Sequence, residues 1–145
     1  MGFGLIARLN EVFQNLDIVE LTAIAAKENE VKMVDLNRDQ MNEGVASTGD
    51  FIRPDYTPFT VAQKRLKGQR YDVVTLRDTG AFQDNMYQTI SGSQYDFFSR
   101  DSKAVDLHTK YAPEIFGLTP DSRKKAWNEF LANSVRSQIN TKLQS

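Results

Sequence analysis

Residues 73–99 read VVTLRDTGAFQDNMYQTISGSQYDFFS, and they limit the possible folds more than any other stretch of the chain. Val73, Val74 and Leu76 are β-type residues and predict a short approach strand. The strand runs into a tight corner at Asp78-Thr79-Gly80, where Gly80 relieves the turn. One helical turn follows, with Phe82 facing inward. Phe82, Met86 and Ile90 fall on one side of an extended segment, with Asp84 and Gln88 between them. Ser91-Gly92-Ser93 is a turn cluster, and Tyr95 and Phe97 alternate with Asp96 and Phe98 on the return. The pattern predicts a β-hairpin over residues 86–99. A lone hairpin is marginal in water, so helices on both sides must cover its apolar face. The expected fold class is α+β: a small antiparallel sheet containing this hairpin, packed by amphipathic N- and C-terminal helices.

Both flanks supply such helices. Leu5, Leu9, Val12 and Leu16 recur at four- and three-residue spacing, the mark of an amphipathic helix. Asp17-x-x-Glu20 reads as a capping box that restarts a second helix. Ile18, Leu21, Ile24 and Ala25 give it a face, Val31, Val34 and Met41 continue it, and Gly44 stops it. Two helices are therefore expected across residues 5–41. Thr57-Pro58 opens a short helix with Val61, Ala62 and Leu66 inward, Gln63, Lys64, Arg65 and Lys67 outward, and Gly68 at its end. Residues 101–111 read as helical, with Asp101 as cap. Thr119-Pro120-Asp121 starts the last helix with a cap, a proline at the first position and an acid in the first turn. Along it Trp127, Leu131, Val135, Ile139 and Leu143 recur every four residues, a stripe that drifts around the axis. Core is expected near Trp127; toward Leu143 a neighbouring subunit is as good a cover as the domain itself. The 145 residues fit one domain, divided into a helical part (1–43), an α+β core with the hairpin (44–118) and a C-terminal helix (119–145).

Composition removes several functions. A net charge of −1 with a pI near 5.8 excludes a broad basic surface of the kind generic nucleic-acid binding needs. With no cysteine there is no disulfide framework and no thiolate metal site. Asp72, Asp78 and Asp84 surround the corner, but turn chemistry and solvated faces account for them better than a cation site. His108 is the one histidine, and it has no nucleophile motif beside it. No Gly-Lys-Ser/Thr follows any glycine pair, so no phosphate loop is present. Lys64, Arg65, Lys67 and Arg70 are the candidates for weak phosphate contacts, and Arg123-Lys124-Lys125 is a second basic cluster. Both read first as solvated helix faces. No run approaches the roughly 20 apolar residues of a membrane span. Folding in a cytoplasm is expected, with no catalytic, cofactor-binding or metal residue.

The corner also carries a likeness. Leu76-x-Asp78-Thr79-Gly80-x-Phe82-x-x-Asn85, with a hairpin behind it, resembles the "leucine, threonine-glycine, hydrophobic, x, x, serine" corner of phage tail-completion and virion-morphogenesis (head–tail connector) proteins. Asn85 stands where that family has Ser. Upstream, Gln40…Gly44 and Gly49…Pro54-x-Tyr56-x-x-x-Thr60-x-x-x-Lys64-x-x-x-Gly68 are similar in order to the family's "glycine, aromatic, x, x, threonine, lysine" stretch. Downstream, Tyr111…Ile115-x-Gly117 is similar to its "tyrosine, x, x, isoleucine, x, x, glycine" segment. Over residues 36–118 the order looks like that of small neck or tail ring proteins of crAss-like gut phages. The resemblance implies a non-enzymatic virion protein, made in the host cytoplasm. It would form a ring of identical subunits at the head–tail connection, or complete the tail. It implies portal, connector or tail proteins as neighbours, no cofactor, no membrane and at most weak non-specific DNA contact. The structural corner is then Asp78, Thr79, Gly80 and Phe82, and the candidate subunit interface is Val135, Ile139 and Leu143. The alternative is an intracellular binding or assembly factor acting through its terminal helices.

Overall fold

The computed structural model describes residues 2–14 and 16–144. The helices are α1 (Gly2–Gln14), α2 (Ile18–Glu28), α3 (Glu30–Asn42), α4 (Pro58–Leu66), α5 (Ala81–Asp84), α6 (Ala104–Tyr111), α7 (Pro120–Ala126) and α8 (Ala132–Gln144). The hairpin strands β1 (Met86–Ser91) and β2 (Gln94–Ser99) lie between α5 and α6. The fold is α+β, a two-stranded antiparallel sheet packed by helices from both ends of the chain.

The hairpin spans the expected residues, and its register sets Met86 opposite Ser99, Gln88 opposite Phe97 and Ile90 opposite Tyr95. Gly92 sits at the first central turn position with φ 60°, the conformation a two-residue loop with leading glycine uses to match strand twist. Met86, Gln88, Phe97 and Ser99 are buried on one face. That face rests on α2 and α3: Gln88 Nε2 donates to Ala26 O at 3.0 Å, and the Gln88 N–H donates to Glu30 Oε1 at 3.1 Å. The second bond occupies part of an otherwise open strand edge.

The residues before the corner differ from expectation. Residues 73–77 are not a strand. Tyr56 Oη accepts both the Thr75 N–H (3.0 Å) and the Leu76 N–H (3.3 Å), and Thr75 O accepts from Gln83 Nε2 at 2.9 Å. Side chains satisfy the backbone groups that a strand partner would have taken. The helical turn at Ala81–Asp84 is present, so Phe82 and Asp84 belong to it and not to the extended face of Met86, Gln88 and Ile90.

The N-terminal part has three helices rather than two. Asp17 Oδ1 caps α2 by accepting the Glu20 N–H at 3.1 Å, as expected. The extra break falls at Asn29, at φ −109° and ψ 28°. Its amide donates to Ala25 O (2.8 Å) and to Ser134 Oγ (3.0 Å), tying the bend to α8. α3 ends at Gly44 (φ 72°), where Gly44 N–H reaches Met41 O and Val45 N–H reaches Gln40 O, both at 2.8 Å.

α7 and α8 are joined by a π-helical turn, Trp127–Leu131. The wider turn inserts a residue and resets the phase of the stripe. Ala126, Phe130, Leu131 and Val135 consequently share the buried face, while Trp127, expected in the core, stands 42% exposed. One cluster runs from Leu21 on α2 to Val135 on α8, with Ile139 packed against it. Leu5 and Ile6 on α1 remain exposed.

Candidate functional site

The corner and α4 face each other across a cleft of about 240 Å³. Thr57 Oγ1 caps α4 by accepting the Thr60 N–H at 3.3 Å, and Pro58 holds its first turn. Gln63, Arg65 and Lys67 then face outward as expected and Val61 is half-buried, but the helix departs from its apolar pattern at its other positions. Lys64 is 7% exposed, whereas Leu66 is 89% and Phe59 72% exposed. Ala62 is exposed too, so the inward assignment of Ala62 and Leu66 and the outward one of Lys64 are both reversed.

The reversal has a cause in the corner. Leu76 is held at φ 56°, a left-handed conformation that costs a residue with a β-carbon roughly 1–2 kcal/mol. Beyond that twist Arg77 O accepts from Lys64 Nζ at 2.7 Å. The ammonium also lies 3.4 Å from Gln69 Oε1 and 4.9 Å from the centre of the Tyr56 ring. Among the described residues no carboxylate pairs with it.

Lys67 crosses the cleft mouth to Asp78 Oδ1 at 2.9 Å, while Gln69 Nε2 donates to Asp78 O at 2.8 Å. The hydrogen bond from Lys67, and then its charge, hold the Asp78 carboxyl below its ordinary pKa. Thr79 Oγ1 accepts the Ala81 N–H at 3.3 Å, and Gly80 supplies φ 93°. Phe82 and Leu76 form the apolar floor, and Leu107 and Tyr111 of α6 close one side. Four cations line the cleft, Lys64, Lys67, Arg77 and Lys103, against two carboxylates, Asp78 and Asp101. The cleft can therefore seat an anionic group that has an apolar neighbour.

The structure thus joins two sets of residues that the sequence presented separately: the corner (Asp78, Thr79, Gly80, Phe82) and half of the basic run (Lys64, Lys67). The other half lies elsewhere. Arg65 stacks over the Tyr71 ring at 4.6 Å. Arg70 pairs with Asp72 (2.7 Å) and Glu43 (3.2 Å) and donates to Asn42 O. The four do not make one phosphate-facing surface, because burial or internal pairing engages Lys64, Lys67 and Arg70. Val135, grouped with the interface residues, is buried in its own subunit, while Ile139 and Leu143 are half-buried. Asp72 and Asp78 are drawn to different cations, and among the described residues no three His, Asp or Glu groups converge. His108 packs in an aromatic cluster, 6.0 Å from Phe98 and 6.1 Å from Phe116. Gln83 carried no motif that could have marked it; Leu76 and Lys64 stood in the quoted motifs, which say nothing of the left-handed backbone of the one or the burial of the other.

Compared with known protein families, curated proteins and solved structures, the chain has no match.

Proposed function

We propose that the chain is a non-enzymatic structural subunit that assembles with copies of itself, as a ring at the head–tail connection of a tailed-phage virion or as a tail-completion protein. The observation that carries the assembly part is the outward face of α4. Phe59, Ala62 and Leu66 stand exposed on a single helix whose lysine is buried. An isolated subunit gains nothing from that arrangement, and contiguous apolar surface of this kind marks a contact site. Leu5 and Ile6 on α1 add a second exposed apolar group. The virion part rests on the resemblance of the Thr79-Gly80 corner and the segments around it.

Gel filtration with mass measurement tests the assembly, and mass spectrometry of purified virions tests the location. The wild-type chain should form a closed oligomer, and Phe59→Glu with Leu66→Glu should give a folded monomer. A wild-type monomer at all concentrations, absent from virions, overturns the reading in favour of an assembly factor.

A further inference from the structure

We infer that the α4–corner cleft is one half of the subunit contact, and that it receives the Asp50-Phe51 loop of a second copy. The inference rests on the assembly reading and names the surfaces that reading leaves open.

The cleft is continuous with the exposed face of α4. Tyr56 lines both it and the shallow groove formed by Pro58, Val61, Ala62 and Leu66. On its cleft side α4 presents the polar residues Thr60, Gln63 and Lys64, and Arg65 edges the groove. The cleft has room for one or two side chains rather than a helix or strand. Its floor is apolar and its rim has a surplus of positive charge, including a buried ammonium with no carboxylate partner among the described residues. Its complement is an aromatic or aliphatic side chain next to an acid, carried on a projecting turn. Aromatic anchors in pockets of this kind supply most of the energy of a protein contact, and charge matching sets register and partner choice.

The chain presents such a pair. Asp50 is exposed, and among the described residues its carboxylate meets only the neighbouring Thr48 hydroxyl, at 3.4 Å. Phe51 is 57% exposed, with the Arg53 guanidinium 6.0 Å from its ring centre. The loop is rigidly placed, because Val45 and Phe51 form an isolated antiparallel bridge and the Ala46 N–H donates to Asp50 O at 2.8 Å. Ile18, Val19, Val31 and Val105 are also exposed beside acids, but all lie within helices that the cleft cannot admit; Tyr71 is exposed beside Asp72 on a loop, but Arg65 covers its ring and Arg70 pairs the acid. In the ring reading the contact runs head to tail, the loop of one copy into the cleft of the next, and such contacts generate a ring where the rotation closes and an open filament where it does not.

The test uses two full-length variants. Phe51→Ser with Asp50→Lys removes the loop's complement, and Lys103→Glu with Thr60→Trp reverses charge at the rim and fills the cleft. All four positions lie outside the core, and circular dichroism checks folding. Each variant alone should run as a monomer. Mixed in equal amounts, they should form a one-to-one heterodimer and nothing larger, because one intact contact remains per pair. If the wild type oligomerises and either variant does so equally well, the inference is overturned while the assembly reading stands. Failure of the two monomeric variants to pair also overturns it. A monomeric wild type overturns the assembly reading itself.

Discussion

Asn37 Oδ1 accepts the Gly117 N–H at 2.9 Å while the same side chain donates its amide to Ile115 O at 3.3 Å. One turn along α3, Gln40 repeats the device: its Nε2 donates to Gly117 O at 2.8 Å and its Oε1 accepts the Thr119 N–H at 2.9 Å. Both side chains are buried. Together they serve as a strand edge for the segment at 115–119, which leads into α7 without a sheet of its own. This clamp joins the N-terminal helices to the C-terminal pair.

Asn37→Ala and Gln40→Ala should each leave two backbone groups without partners. One of the two groups is buried and the other, on Gly117, part-buried, so at about 1–3 kcal/mol per unpaired buried group each variant should lose about 1–3 kcal/mol in urea unfolding. Asn37→Asp keeps the acceptor but sets a carboxylate against Ile115 O, so it should fall below Asn37→Ala. The double alanine variant should cost less than the sum, since both side chains hold one segment. Losses under 0.5 kcal/mol for both singles, in the range of ordinary surface changes, would contradict the clamp.

Two glycines separate backbone strain from crowding. Gly80 sits at φ 93°, and an added Cβ would meet only the ends of Arg77 and Asp84, both at 3.4 Å. Gly80→Val should cost about 1–3 kcal/mol, from the backbone alone. Gly44 sits at φ 72°, and an added Cβ would lie 2.5 Å from Val73 Cβ. Gly44→Ala should therefore lower the melting temperature more than Gly80→Val does, although it adds fewer atoms. Phe82→Ala, in the buried floor of the cleft, should cost about 3–5 kcal/mol. The opposite order for the two glycines would remove the close approach of α3 to residue 73 from the account.

What the sequence made legible was local. The hairpin, the caps at Asp17, Thr57 and Thr119, and the glycine stops all depend on residues within a few positions of one another. Three features depended on distant partners and were not legible. Residues 73–77 look like a strand by composition, yet Tyr56 and Gln83 take the backbone groups a ladder would use. The stripe from Trp127 was read at a constant helical period, and the π-helical turn changes that period partway. On α4 the apolar residues outweigh Lys64 by any hydropathy argument, but Arg77 O, turned by the strained Leu76, favours the lysine. The corner itself was found from sequence; its opposite wall was not.

The Lys67–Asp78 pair gives a pH prediction. Hydrogen bonding to Lys67 lowers the folded-state pKa of Asp78, so its contribution to stability is present above the unfolded value of about 3.9. That contribution is lost as pH falls through the lower, folded value. Both side chains are half-exposed, and screening keeps the contribution below about 1 kcal/mol. Lys67→Met should move the Asp78 titration up toward the ordinary carboxylate value in a carbon-detected NMR experiment. Stability at pH 7 should change by no more than about 1 kcal/mol. An unchanged Asp78 titration in the variant would mean that the pair does not persist in solution.

The inverted helix α4 gives the sharpest comparison. In an amphipathic helix packed by its apolar side, truncating a leucine destabilises and replacing a lysine does little. Here the order should reverse. Lys64→Met keeps the stem's packing but removes the donor to Arg77 O and leaves that carbonyl unpaired, a loss of about 1–3 kcal/mol. Leu66→Ala, at a position 89% exposed, should change the stability of the dilute monomer by less than about 0.5 kcal/mol. The same substitution should weaken self-association, because Leu66 belongs to the surface that the assembly proposal assigns to a neighbouring copy. Measuring unfolding below the association concentration, and mass above it, separates the two effects. If Leu66→Ala destabilises the monomer by 2 kcal/mol or more, as a large-to-small change in a packed core does, α4 packs by its apolar side. Both the buried lysine and the assembly surface built on it would then be withdrawn.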